Sequence, residues 1–409
     1  MKVIVIGAGI SGLATAHALV EQGRSVGQSV RVTVLESSSV VGGTIETVRK
    51  DGFVCEYGPN GFLDAKPHTV SLAKAVGLED ELLASSDSAR RRFIMKNGKL
   101  RMLPTSPGAF LRSSLLSIGG RFRVIRERWI RRAAEDDDET VAAFAERRLG
   151  REAGQRLIDP FVSGIFAGDP ATLSVRATFP RLVALEEEYG SLIKASASLR
   201  KQAGPSSGSA AGPGGRLTTI RSGLSGLCKA IADHLPEPVQ TNAAVTRIER
   251  WDGQWLVWTA EREYGPFDTV VFATPAPVTA RLLKPIDPLL AQPLEAIPYA
   301  SLAVVATGFH RSQVDHPLDG FGFLIPQIEQ RDILGCLWTS SIFPGHRAPE
   351  DHVLMRTMLG GARNGHLVDL DDAALMAVVR AELDPLLGLQ GDPAFVHIQR
   401  WQPAIPQYT

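Results

Sequence analysis

The chain opens on four consecutive apolar residues, Val3-Ile4-Val5-Ile6, followed by Gly7-Ala8-Gly9-Ile10-Ser11-Gly12, after which apolar positions recur at Leu13, Ala16, Leu19 and Val20. A short unbroken apolar run reads as a strand covered on both faces, and the wider spacing after the glycines reads as a helix. A second strand is expected over 30–35 and a helix over 69–76 closed by Gly77. Phe93-Ile94-Met95 and 100–103 flank Lys96-Asn97-Gly98-Lys99, where Asn-Gly suits the positive φ of a hairpin turn. From 107 to 200 the spacing turns helical, and the acidic run 135–139 is expected to cap a new helix. The Gly, Ser, Ala and Pro content of 204–215 cannot support a core and reads as a loop joining domains. Beyond it the pattern predicts a strand over 217–220, a helix from Ser222 to Leu235, and strands at 245–248 and 255–258 paired across Trp251-Asp252-Gly253-Gln254. A buried strand over 268–275 should end in a small-residue turn. Apolar runs at 301–308, 320–325, 333–339 and 352–358 follow with no helix between them, which favours an antiparallel sheet. A helix over 371–387 then leads back towards the first domain.

At 409 residues and 44% hydrophobic content the chain exceeds what one core serves, so two or three domains are expected. Basic and acidic side chains balance at 44 each, leaving no broad field to draw in nucleic acid. Cys55, Cys228 and Cys336 are odd in number and far apart, and read as reduced thiols of a cytoplasmic protein without metal-ligand spacing. No apolar run reaches the roughly 18 residues of a spanning helix, and 3–6 is too short for a signal segment.

The glycine turn between a strand and a helix, with Glu36 at the end of the second strand, is a dinucleotide cradle. Gly7 allows the tight turn, Gly9 lets backbone approach a pyrophosphate, and Gly12 lets helix pack on strand. The further glycines Gly42-Gly43 and Gly58-Pro59-Asn60-Gly61 keep backbone close to a more extended ligand, which favours FAD over a nicotinamide cofactor. Between 121 and 132 six arginines alternate with Phe122, Val124, Ile125, Trp129 and Ile130. That segment reads either as a solvated amphipathic helix or as one lying on an anionic membrane surface. His17, His68, His310 and His316 have no partners at motif spacing and read as core or solvated histidines.

Two blocks carry a family resemblance: Asp159-Pro160-Phe161-Val162-Ser163-Gly164-Ile165-Phe166-Ala167-Gly168-Asp169-Pro170, and Leu173-Ser174-Val175-Arg176-Ala177-Thr178-Phe179-Pro180. With the cradle, and with Arg400-Trp401 and Pro406-Gln407-Tyr408, the chain resembles the protoporphyrinogen oxidase family of FAD enzymes over its whole length. The cradle is shared with amine oxidases and carotene desaturases; the 159–180 region is more specific. The resemblance implies an α/β fold: a Rossmann-like FAD-binding domain from 1–83, 216–290 and the start of a third piece at 399–409, an antiparallel-sheet substrate domain from 84–105 and 291–398, and an inserted helical domain at 106–203. It implies oxidation of protoporphyrinogen IX or coproporphyrinogen III in haem biosynthesis, with dioxygen as acceptor, and peripheral membrane contact through 107–132.

By the same resemblance FAD lies on Gly7, Ala8, Gly9, Ile10, Ser11, Gly12, Glu36, Ser37, Gly42, Gly43, Thr44, Gly58, Pro59, Asn60, Gly61, Val245, Ala273 and Trp401. Arg92 meets a substrate propionate, and Asn60, Gly164, Phe166 and Gly168 line the same cavity. The family continues after Tyr408 through a further strand and a glycine-containing helix start, so the chain is read as a piece of a longer protein. Two alternatives stay open: a non-catalytic FAD- or porphyrin-binding fragment, and a flavin oxidase acting on an amine or polyene, for whose aromatic pair Trp401 and Tyr408 can be misread and against which the block at Asp159 argues.

Overall fold

The computed structural model describes residues 1–132, 138–203 and 215–409. Most of the acidic run 135–139 and nearly all of the expected joining loop 204–215 lie outside the described residues. The chain divides into two compact units, one of residues 1–50, 54–84 and 216–297, the other of 51–53, 85–215 and 298–409.

In the first unit the Lys2–Ile6 strand runs parallel to Arg31–Leu35 on one side and to Thr269–Phe272 on the other. Val3 and Val5 pack into a core with Leu13, Ala16 and Val20 of the Ile10–Ser25 helix, and Ile4 and Ile6 into a second core with Val245, Ile248 and Val257. That two-sided burial is why this strand carries no polar alternation, and each such side chain contributes about 1.5–3 kcal/mol. The second core includes one side of an antiparallel sheet formed by Val245–Trp251, Gln254–Thr259 and Glu263–Phe267. The expected buried strand over 268–275 is shorter and less covered: it is the edge strand of its sheet, with Thr269 exposed and the next three residues half-buried. The two helices expected here form as Pro67–Ala75, with proline in the first turn, and Ser225–Asp233.

The second unit holds a seven-stranded sheet in the order Phe395–Pro406, Tyr299–His310, His352–Gly360, Ile333–Leu337, Gly322–Leu324, Phe93–Lys96, Lys99–Met102. Neighbours are antiparallel except Phe93–Lys96 beside Gly322–Leu324, which run parallel. The sheet is therefore mixed where an antiparallel one was expected, because its first hairpin comes from a distant stretch of chain and no turn dictates its direction. The short Thr339–Ile342 helix also interrupts the strands expected to follow one another directly. Residues 399–409, expected to start a third piece of the cradle domain, belong to this unit: 399–406 finish the edge strand beside Tyr299–His310. The Asp372–Leu387 helix does not return to the first unit; Leu375, Val379 and Leu383 pack on the sheet with Phe309, Phe323 and Trp338. Asp371 caps it, accepting from the Ala374 N–H, and left-handed Gly388 ends it.

Residues 107–203 are helical wherever described outside their connecting turns. The Val141–Leu149 helix is capped by the Thr140 hydroxyl accepting from Ala143, not by the acidic run, because a hydroxyl at that position reaches the orphan N–H directly. Its Arg148 is fully buried against Glu127. Burial alone would raise the Glu127 pKa, but the Ser191 hydroxyl, the Leu192 and Ile193 N–H groups and Arg148 together hold it below its ordinary value. The same carboxylate thereby caps the Leu192–Ala203 helix.

Candidate functional site

At the carboxyl end of Lys2–Ile6 the chain turns at Gly7 with φ 101°, where a β-carbon would stand 2.7 Å from the Ala273 carbonyl oxygen. A β-carbon on Gly12 would stand 1.9 Å from the Gly7 carbonyl oxygen, so the helix reaches the strand only through glycine. Gly9 differs: a β-carbon there would meet nothing within 4 Å. Its hydrogen faces open space at the start of the Ile10–Ser25 helix, whose amino end has no side-chain cap. Unfilled space at uncapped N–H groups is what a pyrophosphate requires.

The second glycine pair lies on the same turn. Gly42 bridges Gly9 and donates its N–H to the Ala8 carbonyl at 2.9 Å, and a β-carbon on Gly43 would approach the Gly9 Cα at 3.4 Å. Gly58 passes so close to Thr44 that a β-carbon would overlap its carbonyl oxygen. Glu36 is buried; one carboxylate oxygen accepts the Ala8 N–H at 2.8 Å, the other the Ser38 N–H at 2.8 Å and the Ser37 hydroxyl at 3.1 Å. A carboxylate has about four acceptor positions, so capacity remains for a ribose hydroxyl. Asn60 is 8% exposed, and neither its amide oxygen nor its nitrogen has a hydrogen-bond partner among the described residues. An orphaned buried amide costs about 1–3 kcal/mol unless something else satisfies it. Ser11, Ser37, Gly43, Thr44 and Pro59 stay exposed around these groups. Ala273 closes the turn from the next strand, and Val245 is buried at the start of its hairpin. These residues of the first unit fit a dinucleotide.

The remaining candidates lie in the second unit. In the arginine triplet before Phe93–Lys96, Arg90 pairs with Asp87 at 3.6 Å and Arg91 with Asp319 at 2.8 Å. Arg92 has no carboxylate partner among the described residues; its guanidinium lies 4.9 Å from the Phe321 ring centroid. The side chain stays open to solvent, yet the protein crowded around it pulls its pKa below the ordinary value, and it remains a cation.

The Asp159–Phe166 helix packs on the sheet through Gly164, where a β-carbon would stand 2.5 Å from Leu324 Cδ2. Gly168 is pressed against Gln407, whose side-chain amide donates to the Phe166 carbonyl at 3.0 Å, while Ser174 donates its N–H to the Tyr408 carbonyl at 2.8 Å. Gly168 also lines a small cavity with Ser163, Ala167, Arg331 and Arg363, a set that does not include Gly164 or Phe166. Trp401 sits on the edge strand opposite Leu302.

Sequence reading missed Arg363, which pairs with Asp159 at 2.6 Å and Asp169 at 2.8 Å and so holds both ends of the block. The unread signal was the doublet Gly360-Gly361, where a β-carbon on Gly361 would stand 2.7 Å from the Ala167 carbonyl oxygen.

Residues 10–409 match the model of the flavin containing amine oxidoreductase family. The chain is 32% identical to the mitochondrial protoporphyrinogen oxidase of Nicotiana tabacum, covering 100% of this chain and 85% of that protein. It is 31% identical to the coproporphyrinogen III oxidase of Bacillus subtilis, covering 99% and 87% respectively. A crystal structure of a candidate protoporphyrinogen oxidase from Exiguobacterium sp. 255-15 superposes with a TM-score of 0.84 at 27% identity, over 100% of this chain and 88% of that one. The chain belongs to the flavin-containing amine oxidoreductases and, among them, to the protoporphyrinogen and coproporphyrinogen oxidases.

Proposed function

We propose that this protein holds FAD on the glycine turn of its first unit and oxidises protoporphyrinogen IX or coproporphyrinogen III to the porphyrin, a step of haem biosynthesis, with dioxygen as final acceptor. Full-length likeness to enzymes named for these substrates supplies the reaction class. The structural observation that carries the reading is Arg92, a cation with no carboxylate partner among the described residues, beside two arginines that each have one.

When bound, the flavin supplies the hydride sink that no side chain can provide. The chain's own residues bind and orient. The uncapped helix start faces the pyrophosphate and Glu36 accepts from the ribose. The buried Asn60 amide offers a donor and an acceptor to whatever enters beside it. The planar fork of Arg92 takes a propionate through two charge-assisted hydrogen bonds, while Phe321 restricts the plane in which the fork can lie. Holding the macrocycle by a carboxylate converts a diffusive encounter into an oriented one. Gly168 and Trp401 are assigned to the same ligands.

We also propose that the protein meets an anionic membrane surface through its Pro107–Arg112 and Ile118–Ile125 helices and the Arg126–Trp129 turn. Leu111, Ile118, Phe122, Ile125 and Trp129 are exposed there beside exposed Arg112, Arg126 and Arg128.

The enzymatic reading is tested by loading the purified protein with FAD and following porphyrin fluorescence after adding each porphyrinogen. Fluorescence should rise with one or both, and oxygen should be consumed. A flavin-loaded protein that leaves both porphyrinogens unchanged rejects it.

A further inference from the structure

We propose that the turn from Asp315 to Phe321 sets the position of Arg92, and that neutral His316 anchors this turn, so that carboxylate binding weakens when His316 takes up a proton. The inference rests on Arg92 being the carboxylate receptor.

The turn meets the arginine triplet at three points. Asp319 pairs with Arg91 at 2.8 Å, the Phe321 N–H donates to the Arg91 carbonyl at 2.8 Å, and the Phe321 ring lies 4.9 Å below the Arg92 guanidinium. Gly320 lies so close to the triplet that a β-carbon would stand 2.7 Å from the Arg91 carbonyl oxygen and 2.8 Å from the Phe93 ring. Movement of this turn therefore moves the ground under Arg92.

Within the turn Leu318 is 1% exposed and adopts φ 51°, a left-handed conformation that is strained for a branched side chain. Its N–H donates to His316 Nδ1 at 3.0 Å. A ring nitrogen that accepts carries no proton, so the neutral ring holds its proton on Nε2. The imidazole packs 4.8 Å from the Trp338 ring and 6.2 Å from the Phe93 ring, and its backbone is fixed by the His316 N–H to Leu387 and by Arg311 to the His316 carbonyl.

The charged groups facing the ring are Asp319 from the turn itself and Arg311 from the segment before it. The Phe93 strand and Trp338 present rings to it, and the end of the Asp372–Leu387 helix meets the His316 backbone N–H through the Leu387 carbonyl. Burial first, and then Arg311, lower the His316 pKa against the opposing pull of Asp319. Because the His316 pKa is lowered, the anchor is intact at neutral pH and is lost only on the acid side of the ordinary histidine range. Protonated Nδ1 then points a donor at the Leu318 donor, and the turn must open.

Two substitutions separate anchoring from simple packing. In His316→Asn an amide oxygen can accept from the N–H two residues on, as in an Asx turn, without titrating. In His316→Leu no acceptor remains. With FAD-loaded full-length protein, His316→Leu should raise the KM for coproporphyrinogen III about fivefold at pH 8 with kcat nearly unchanged. His316→Asn should keep the original KM at pH 8 and lack the rise that the unsubstituted protein shows on the acid side of the ordinary histidine range. Titration of the substrate's own carboxylates is common to all variants and cancels in the comparison.

An unaltered KM in His316→Leu, or an Asn variant that follows the original pH curve, overturns the proposal. If Arg92→Ala raises KM and His316→Leu does not, this inference fails alone; if Arg92→Ala leaves KM unmoved, the carboxylate reading fails. Hydrogen exchange at the Leu318 amide reads the anchor without turnover. Corrected for intrinsic rates, protection should be lower at acid pH than at neutral pH in the original and not in the Asn variant, and a pH-independent protection in both overturns it.

Discussion

Arg92 differs from its neighbours: among the described residues Arg90 pairs with Asp87 and Arg91 with Asp319, while the third guanidinium has an aromatic ring under it and no carboxylate. A cation over a ring face keeps its hydrogen-bond donors unspent, so they remain for a ligand. Removing it in Arg92→Ala should cost roughly 1.5–3 kcal/mol of substrate binding, seen as a KM raised about ten- to hundredfold. Arg92→Lys keeps a point charge without the planar fork and should recover part of that loss. Steady-state assays with each porphyrinogen check this, and a Lys variant equal to the original would show that the fork geometry contributes nothing. None of this was legible from the triplet in the sequence, where three adjacent arginines look alike; Asp87 lies close to Arg90 in the chain, but what separates Arg91 from Arg92 is Asp319, more than two hundred residues away. His316 shows the same limit, since a histidine without motif partners becomes an acceptor only through the turn that folds around it.

The glycine turn is the element on which cofactor binding depends, and its glycines differ in what they do. Gly12→Ala would force a β-carbon into the Gly7 carbonyl and push the Ile10–Ser25 helix off its strand. Both melting temperature and flavin content should fall. Gly9→Ala should leave the flavin-free protein's melting temperature within about 2 °C of the original, since the new methyl meets no protein atom. It should nonetheless weaken FAD binding tenfold or more, about 1.4 kcal/mol, because that methyl occupies space left for phosphate. Flavin titration and thermal melts of the two variants decide the matter, and full flavin affinity in Gly9→Ala would show that the pyrophosphate lies elsewhere. This element was readable because strand, turn and helix are contiguous and each follows from local pattern. So were the Phe93–Lys96 and Lys99–Met102 hairpin, whose Asn97 and Gly98 take φ 52° and 69°, and the helix expected over 371–387, which forms as Asp372–Leu387. What local pattern could not supply was partnership across the chain: the parallel join in the seven-stranded sheet, the return of 399–406 to that sheet, and Arg363 closing on Asp159 and Asp169. Spacing also cannot tell a solvated arginine from Arg148, whose burial depends on Glu127 arriving from another helix.

For the whole molecule the open question is what surface it works on. Among the described residues no helix is long and apolar enough to cross a membrane. Yet Ile118 and Phe122, one helical turn apart, are 66% and 64% exposed, and Trp129 in the turn that follows is 70% exposed. Not every arginine of the segment contributes to a charged rim: Arg123 is spent on the carbonyls that end the Val141–Leu149 helix, and Arg132 on the Glu187 carbonyl. Arg112, Arg126 and Arg128 stay exposed. At about 1 kcal/mol per cation near an anionic leaflet, three arginines give about a hundredfold preference for anionic over neutral lipid, and the apolar side chains add burial at the headgroup boundary. The protein should therefore sediment with phosphatidylserine-containing vesicles, bind pure phosphatidylcholine far less, and release partly as salt shortens the electrostatic reach to a few ångströms. Phe122→Glu with Trp129→Glu should abolish sedimentation while leaving melting temperature and flavin content as they were, since both side chains lie outside the core. Replacing Arg112, Arg126 and Arg128 together by Gln should remove the lipid-charge preference and leave only weak, salt-insensitive binding. Equal binding to both vesicle types would assign the apolar groups a role without the arginines, and no binding to either would remove the membrane from the account while leaving the cradle and Arg92 as they stand.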